Sequence, residues 1–434
     1  MNPFFVEALD MREHPIKKVK NKIRSEYISA LTYIIQKTVS ELDESKTEVK
    51  QYVFERLRLY HTQLLMNDKT TKKDSICLLS FKKPWRSKYR FMLICDVALI
   101  LLDDSLIHLA VEIMKESLSI RRNSDIERIM LLLKNQQIID KKYLLASSLI
   151  IQYRLNKNFI SKEEKRIIVT ANMSTGKSTL INALIGKPVA RTSQEVCTGN
   201  VCYLYNKAYE DENTHLSTKD ISLRATADEL SGYDWNGHIS IASYFARIES
   251  DIPRLCLIDT PGVDAALYKE HSKYARNALL NDVYDAIIYV VSPTRLGTDA
   301  EKKHLQWVAQ NLHTKKIIFV LNKLDCYHNY SDSVEESING FKNDLQQIGF
   351  ENPVICPISA YFSYLVKLKM TGQTLSEDEA DEYALYSKKF NKPSYDLSQY
   401  YKGVQCLPTD SEEIALSKRV GLYGLERIIY GGNL

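Results

Sequence analysis

Between residues 27 and 155 apolar positions recur every three or four residues. "YISALTYIIQKTVSEL" and "VKQYVFERLRLYHTQLL" have this spacing, as do "YRFMLICDVALILL", "SLIHLAVEIMKESL", "DIERIMLLLKNQQ" and "KKYLLASSLIIQYRL". It lines one face of a helix and predicts a helical domain over 1–160. "NKNFISKEEK" at 156–165 is polar and reads as a linker. The pattern then changes to short apolar runs at 166–170, 201–205, 254–259, 286–291, 316–321 and 353–358. Helical stretches at 177–186, 299–312 and 333–348 separate most of them. Strands alternating with helices predict an α/β domain over 161–434, with a mostly parallel sheet covered on both faces. The stretch at about 363–415 is polar and reads as a helical insertion.

The chain is 434 residues long, 44% hydrophobic and 26% charged, a balance suited to globular domains with sizeable cores. A net charge of +4 is too mild to imply nucleic-acid binding, and no DNA partner is expected. Basic residues gather in "REHPIKKVKNKIR" at 12–24 and "KKPWRSKYR" at 82–90. Solvated surface is the plain reading of both, and contact with anionic lipid or RNA the sharper one. The eight cysteines show no C-x-x-C spacing, which predicts reduced thiols in a cytoplasmic protein and no metal cluster. The start of the chain lacks the pattern of a signal peptide. The most apolar run, 91–102, is interrupted by Asp96 and is too short to span a bilayer, so a buried helix is expected there.

"RIIVTANMSTGKSTLINALIG" reads as strand, loop and helix, the setting of a phosphate-binding loop. Backbone N–H groups of Ser174, Thr175, Gly176, Lys177, Ser178 and Thr179 would face phosphates, helped by the helix dipole. The Lys177 ammonium would bridge the β- and γ-phosphates, and the Ser178 hydroxyl would ligate Mg2+. Ala171 stands where the loop pattern has glycine. It costs about 1–2 kcal/mol only if its φ must be positive. In "LIDTPG", Asp259 would hold Mg2+ through water, and the Gly262 N–H would sense a γ-phosphate. The following "ALYKEHSKYARNALL" would be a mobile switch. In "VLNKLD", Asp325 would accept two hydrogen bonds that guanine offers and adenine does not. The Lys323 stem would cover the base and Asn322 would pin the loop. In "PISA", the N–H of Ser359 or Ala360 would meet the guanine O6. All of these motifs follow strand candidates, in this order, which points to a site for GTP and GDP. A switch threonine is expected between the first two motifs; Thr192 and Thr198 are available, and Thr198 is preferred because a strand follows it.

The stretches "IIVTANMSTGKSTLINALIG", "EVCTGNV", "LIDTPGVDAALYKEH", "IIYVVSPTRLGTDAEKKHL" and "IIFVLNKLD" resemble a bacterial dynamin-like protein of the dynamin superfamily of large GTPases. The resemblance covers about 160–360 and the final "GLYGLERII", and leaves out 1–155. It implies a P-loop GTPase fold, GTP hydrolysis, nucleotide-dependent homodimerisation through the GTPase domain, and peripheral membrane contact or remodelling. It implies catalysis by Ser174, Lys177 and Thr198. Phosphate and Mg2+ contacts fall on Lys177, Ser178, Thr198, Asp259 and Gly262, and base contacts on Asn322, Lys323 and Asp325. Met173 departs from the family's glutamine, and Val263 leaves no obvious general base, so catalysis would rest on positioning and charge neutralisation. A long C-terminal stalk and membrane paddle are not expected. Two other readings fit these motifs: a slow regulatory switch that binds a protein partner through the helical domain, and an Era-like GTPase acting on RNA in ribosome assembly.

Overall fold

The computed structural model describes residues 5–64, 87–118, 123–135, 138–190, 201–232, 238–249, 253–263, 269–312, 316–328, 332–401 and 411–431. The chain divides into two units. The first comprises Met1–Lys162, Lys207–Leu216 and Asp220–Ala225, and the second comprises Glu163–Asn206, Ser217–Lys219 and Thr226–Leu434.

In the first unit the described part of 5–162 contains helices and no strand. They are α1 (Asn21–Ser40), α2 (Thr47–Leu64), α3 (Ser87–Leu101), α4 (Asp104–Leu118), α5 (Asn123–Lys134) and α6 (Ser147–Ser161). Every residue of α3 from Phe91 to Leu101 is buried, Asp96 included. A buried carboxylate needs donors, and Asp96 has three. His14 Nε2 lies 3.1 Å away, the Tyr60 hydroxyl donates at 2.9 Å, and the Tyr27 hydroxyl donates as well. No helix among the described residues is long and apolar enough to cross a membrane.

Two expectations for this unit need correction. The basic stretch at 12–24 is not simply a solvated face. His14 and Ile16 are buried, Arg12 pairs with Asp10 and Glu212, and Arg24 donates to Lys17 O and Val19 O. Nor is 156–165 a linker. Helix α6 runs through it to Ser161, with Asn156 and Phe159 buried on its inner face. The Asn156 amide closes a pair of bonds with the Ala8 backbone, at 3.0 and 2.8 Å. The stretch looked polar because most of its residues face outward and one of the two inward ones is an asparagine. Of the second basic stretch, 82–86 lies outside the described residues.

The second unit has an α/β fold. Its elements begin with β1 (Glu164–Ala171), α7 (Lys177–Ile185) and β2 (Cys202–Asn206). Short strands β3 (His215–Ser217) and β4 (Ile221–Ser222) come next in the chain and fall mostly to the first unit. The second unit resumes with α8 (Ala227–Gly232), β5 (Ile239–Ser243) and β6 (Arg254–Asp259). Next come α9 (Lys269–Asn281), β7 (Ala286–Val291), α10 (Asp299–Asn311), β8 (Lys316–Leu321), α11 (Val334–Ile348) and β9 (Val354–Pro357). The last helices are α12 (Ala360–Met370), α13 (Glu377–Phe390), α14 (Glu412–Arg419) and α15 (Leu422–Tyr430). Its strands run in the order β5-β2-β6-β1-β7-β8-β9. All neighbours are parallel except β2 and β6. Continuous apolar runs suit strands covered on both faces, and all six residues of β7 are buried. Strands β1, β6, β7, β8 and β9 therefore end at one edge, where an open parallel sheet binds ligands.

Strand β5 escaped the sequence reading. The supposed polar insertion also begins too early: α12 buries Phe362, Leu365, Val366 and Leu368 and packs on α7. Its apolar side chains alternate with lysines, one of which, Lys367, is itself buried and paired with Glu426. Among the described cysteines, Cys95, Cys202, Cys256 and Cys356 are buried thiols outside any disulfide, and Cys326 is an exposed one.

Candidate functional site

The loop between β1 and α7 lies at the carboxyl edge of the sheet. Ala171 is still strand at this point: it pairs with Val290, and its carbonyl accepts from the Val263 N–H at 3.2 Å. Its φ is not among the positive ones, so the missing glycine carries no backbone strain. The left-handed positions come later, at Ser174 (φ 62°) and Gly176 (φ 87°). Gly176 has a second reason to be glycine. A β-carbon there would lie 2.4 Å from Asn322 Nδ2. Helix α7 starts at Lys177, and the Leu180 N–H is the first to return, to Gly176 O at 2.9 Å. The N–H groups of 177–179 thus lack intrahelical acceptors and suit an anion.

Lys177 Nζ is bonded to Asp259 at the end of β6. Both side chains are mostly buried. Thr260 docks its hydroxyl on Val169 O at 2.9 Å, which fixes the start of the Thr260–Val263 turn. Gly262 faces Met173 so closely that a β-carbon would lie 3.0 Å from Met173 Cγ. Met173 is 44% exposed, an apolar side chain on the surface of the loop.

Asn322 ties the two halves of the site together. Its Nδ2 donates to Thr175 O at 2.9 Å, and its Oδ1 accepts from the Ala360 N–H at 2.9 Å. Lys323 takes a left-handed φ of 64°, which turns the chain into the 3-10 turn Leu324–Cys326. The Lys323 stem runs beside Gly176, with Cε 3.8 Å from the position a β-carbon would take there. The Ser359 hydroxyl donates to Asp325 Oδ1 at 2.7 Å.

Four stretches more than 30 residues apart in sequence thus converge on one edge of the sheet, an arrangement suited to a nucleotide. A family model described as "Dynamin family" matches residues 167–324. These residues form a dynamin-family GTPase domain. A probable transmembrane GTPase of Arabidopsis thaliana, FZO-like and chloroplastic, is 25% identical over 220 residues, which is 50% of this chain and 21% of that protein. Dynamin-like protein A of Bacillus subtilis is 23% identical over 43% of this chain and 15% of its own length. The chain thus spans about a fifth or less of the length of either relative. Among solved structures, Era of Aquifex aeolicus bound to GDP and aluminium fluoride shares 20% identity over 50% of this chain and 59% of its own, with a TM-score of 0.27.

The site departs from the expectations at the Ser359–Ala360 turn. The Ser359 N–H is donated to Val420 O at 3.2 Å and the Ala360 N–H to Asn322, so neither amide faces outward to meet O6. Ser359 instead orients Asp325 through its hydroxyl. Thr198 and Thr192 lie outside the described residues, as does 264–268 at the start of the expected second switch; the rest of that stretch belongs to α9.

Sequence reasoning missed the supports of the site. Lys389, near the end of α13, donates to the carbonyls of both Asp325 and Tyr327 at 2.5 Å. Burial holds its ammonium below the usual lysine range, and Asp325 opposes that shift. No local signal marks it, because its partners lie more than 60 residues away. The donor set fits a hard divalent cation. Ser178 and Asp259 supply oxygen, and no cluster of three or more His, Cys, Asp or Glu side chains that could hold a metal occurs among the described residues. Mg2+ held by one or two protein oxygens and by phosphates needs no such cluster.

Proposed function

We propose that this chain binds and hydrolyses GTP with Mg2+ and uses the cycle to pair GTPase domains of two copies. In this reading 1–160 is a helical domain that transmits the cycle to a partner or a membrane surface, and 161–434 carries the chemistry. The observation that supports it best is the double anchorage of Asn322 to the phosphate-binding loop and to the Ser359–Ala360 turn. Asp325 stands beside it, oriented by Ser359, with the acceptor chemistry that guanine's N1–H and amine require.

Each residue then has a proposed role. Backbone N–H groups from Ser174 to Thr179 cradle the phosphates, and Lys177 leaves Asp259 to meet them. Ser178, Asp259 and Thr198 hold Mg2+, which neutralises phosphate charge when bound. Gly262 senses the γ-phosphate, and Lys323 covers the base. Ser174 and Thr198 orient the attacking water. Catalysis is by positioning and electrostatics.

The exposed Met173 beside Gly262 favours a second reading, in which turnover is slow and the protein is a timed switch. GTP turnover per molecule across a wide range of protein concentrations separates the two. Specific activity that climbs with concentration, vanishes in Lys177→Ala and is absent with ATP is expected for the pairing enzyme. Tight GTP binding with slow, concentration-independent turnover assigns the switch. Absence of GTP and GDP binding removes both.

A further inference from the structure

Helices α10 and α13 open on the same kind of sequence, Thr298-Asp299-Ala300-Glu301 and Ser376-Glu377-Asp378-Glu379. The fourth residue of such a start usually returns its carboxylate to the amide of the first. At α13 it does: Glu379 accepts from the Ser376 N–H at 2.8 Å, and Ser376 Oγ accepts from the Glu379 N–H at 3.2 Å. At α10 only the first half of the exchange forms, with Thr298 Oγ1 accepting from the Glu301 N–H at 3.4 Å. The Glu301 carboxylate points inward, and the residue is 1% exposed.

There it meets two donors. Asn172 Nδ2 donates to Oε2 at 2.7 Å, and the Tyr289 hydroxyl donates to Oε1 at 2.7 Å. Tyr289 is fully buried on β7, and burial and Glu301 both push its pKa upward, so it stays a phenol and a donor. Asn172 is the first residue of the phosphate-binding loop after β1. Its carbonyl accepts from Thr175 Oγ1 at 3.1 Å, closing a turn around Ser174. Asn322 holds the far side of the same turn through Thr175 O. The loop is therefore pinned at both ends, and the Asn172 end is pinned by a buried charge.

We infer that Glu301 is a positioning residue for phosphate binding: through Asn172 it sets the turn that presents Ser174 and the following N–H groups to the nucleotide. The inference rests on the nucleotide-site reading above. A carboxylate suits the place because it accepts from both neighbours at once and makes stronger bonds than a neutral acceptor.

The polarity of the pair supplies the test. Asn172→Asp sets two carboxylates at bonding distance, so the turn must open. In Asn172→Asp with Glu301→Gln, donor and acceptor change places: the introduced amide donates to the introduced carboxylate, and its oxygen still accepts from Tyr289. Fluorescent GDP binding, GTP turnover and thermal unfolding are measured for wild type, both single variants and the double variant. Asn172→Asp is expected to weaken GDP binding by about tenfold or more, and the double variant to return within about threefold of wild type. Glu301→Gln alone is expected to weaken GTP and GDP binding alike by a few-fold without changing preference over ATP. That measurement decides the matter if Asn172→Asp does not fold, and unchanged affinities then overturn the inference. A double variant that melts like wild type but still binds GDP as weakly as Asn172→Asp also overturns it. So does an Asn172→Asp protein that binds normally. Failure of wild type to bind GDP or GTP at all overturns the nucleotide-site reading and this inference with it.

Discussion

The phosphate side and the base side of the proposed nucleotide site are held from behind by groups of opposite polarity. The phosphate-binding loop turns its backbone N–H groups forward, and an acceptor, the Glu301 carboxylate, draws its side-chain donor Asn172 back. The base loop turns a carboxylate forward, that of Asp325, and a donor, the Lys389 ammonium, draws its carbonyls back at Asp325 and Tyr327. Each support has the polarity that the ligand-facing side lacks. The group that each loop turns inward sets the polarity of its support: the Asn172 amide is a donor and needs an acceptor, and the Asp325 and Tyr327 carbonyls are acceptors and need a donor. Asn322 serves both sides, as donor to one and acceptor to the other.

The largest break in this symmetry is expected from Lys389→Met, which keeps most of the stem and removes the charge. The Asp325 carbonyl loses the Lys389 donor and the Tyr327 carbonyl keeps only the Tyr395 hydroxyl, at 3.1 Å; the Asp325 turn loosens, and GDP affinity should fall about 10- to 100-fold in titrations of fluorescent GDP. Preference for GDP over ADP should shrink with it. An unchanged preference would mean that the base side does not need this support.

The next effect belongs to the phosphate side and to pH. His304 lies one turn after Glu301, its ring 5.4 Å from that of Tyr289. Neither ring nitrogen has a hydrogen-bond partner among the described residues. Burial, and then Arg276, push its pKa down from 6.5 to about 3. Below pH 6.5 the unfolded chain therefore binds a proton that the folded chain refuses. Stability from this group is complete above pH 6.5 and is lost as pH falls toward 3, by up to about 1.4 kcal/mol per pH unit. His304→Phe should remove that slope from denaturant unfolding curves recorded between about pH 7 and pH 4. A variant curve parallel to wild type would show that His304 is protonated in the folded state.

Ala171→Gly should do least. Ala171 is strand and fully buried, so glycine relieves no strain and loosens β1. A loss of about 0.5–1 kcal/mol in stability is expected, with GDP affinity unchanged within about twofold. A clear gain in affinity would show that the bound loop demands a left-handed residue at this position.

Much of the fold could be read in advance because its signals are local. The runs at 254–259, 286–291 and 316–321 are strands over those same residues, since a strand covered on both faces is apolar along its buried middle and carries polar residues only at its ends. Helix α7 begins at Lys177, where the glycine before it takes the left-handed turn. Strand β5 was missed because "ISIAS" is short and weakly apolar, and only pairing with β2 makes it a strand. The stretch at 156–161 was misread because Asn156 meets its partner, Ala8, 148 residues away.

The order and spacing of Gly176-Lys177-Ser178, Asp259, Asn322-x-x-Asp325 and Ser359 follow from sequence alone, because each motif closes a strand and strands that run parallel end at one edge. What sequence did not decide is which buried polar group answers which. Thr298-x-x-Glu301 and Ser376-x-x-Glu379 are alike on paper. One carboxylate returns to its own helix, and the other crosses to the phosphate-binding loop. The physical reason is burial. The bond between Glu379 and Ser376 is exposed, and the donor nearest that carboxylate is its own cap. Glu301 is enclosed by β7 and the loop, where Asn172 and Tyr289 would otherwise be donors without acceptors, and only the tertiary structure brings those three side chains within reach.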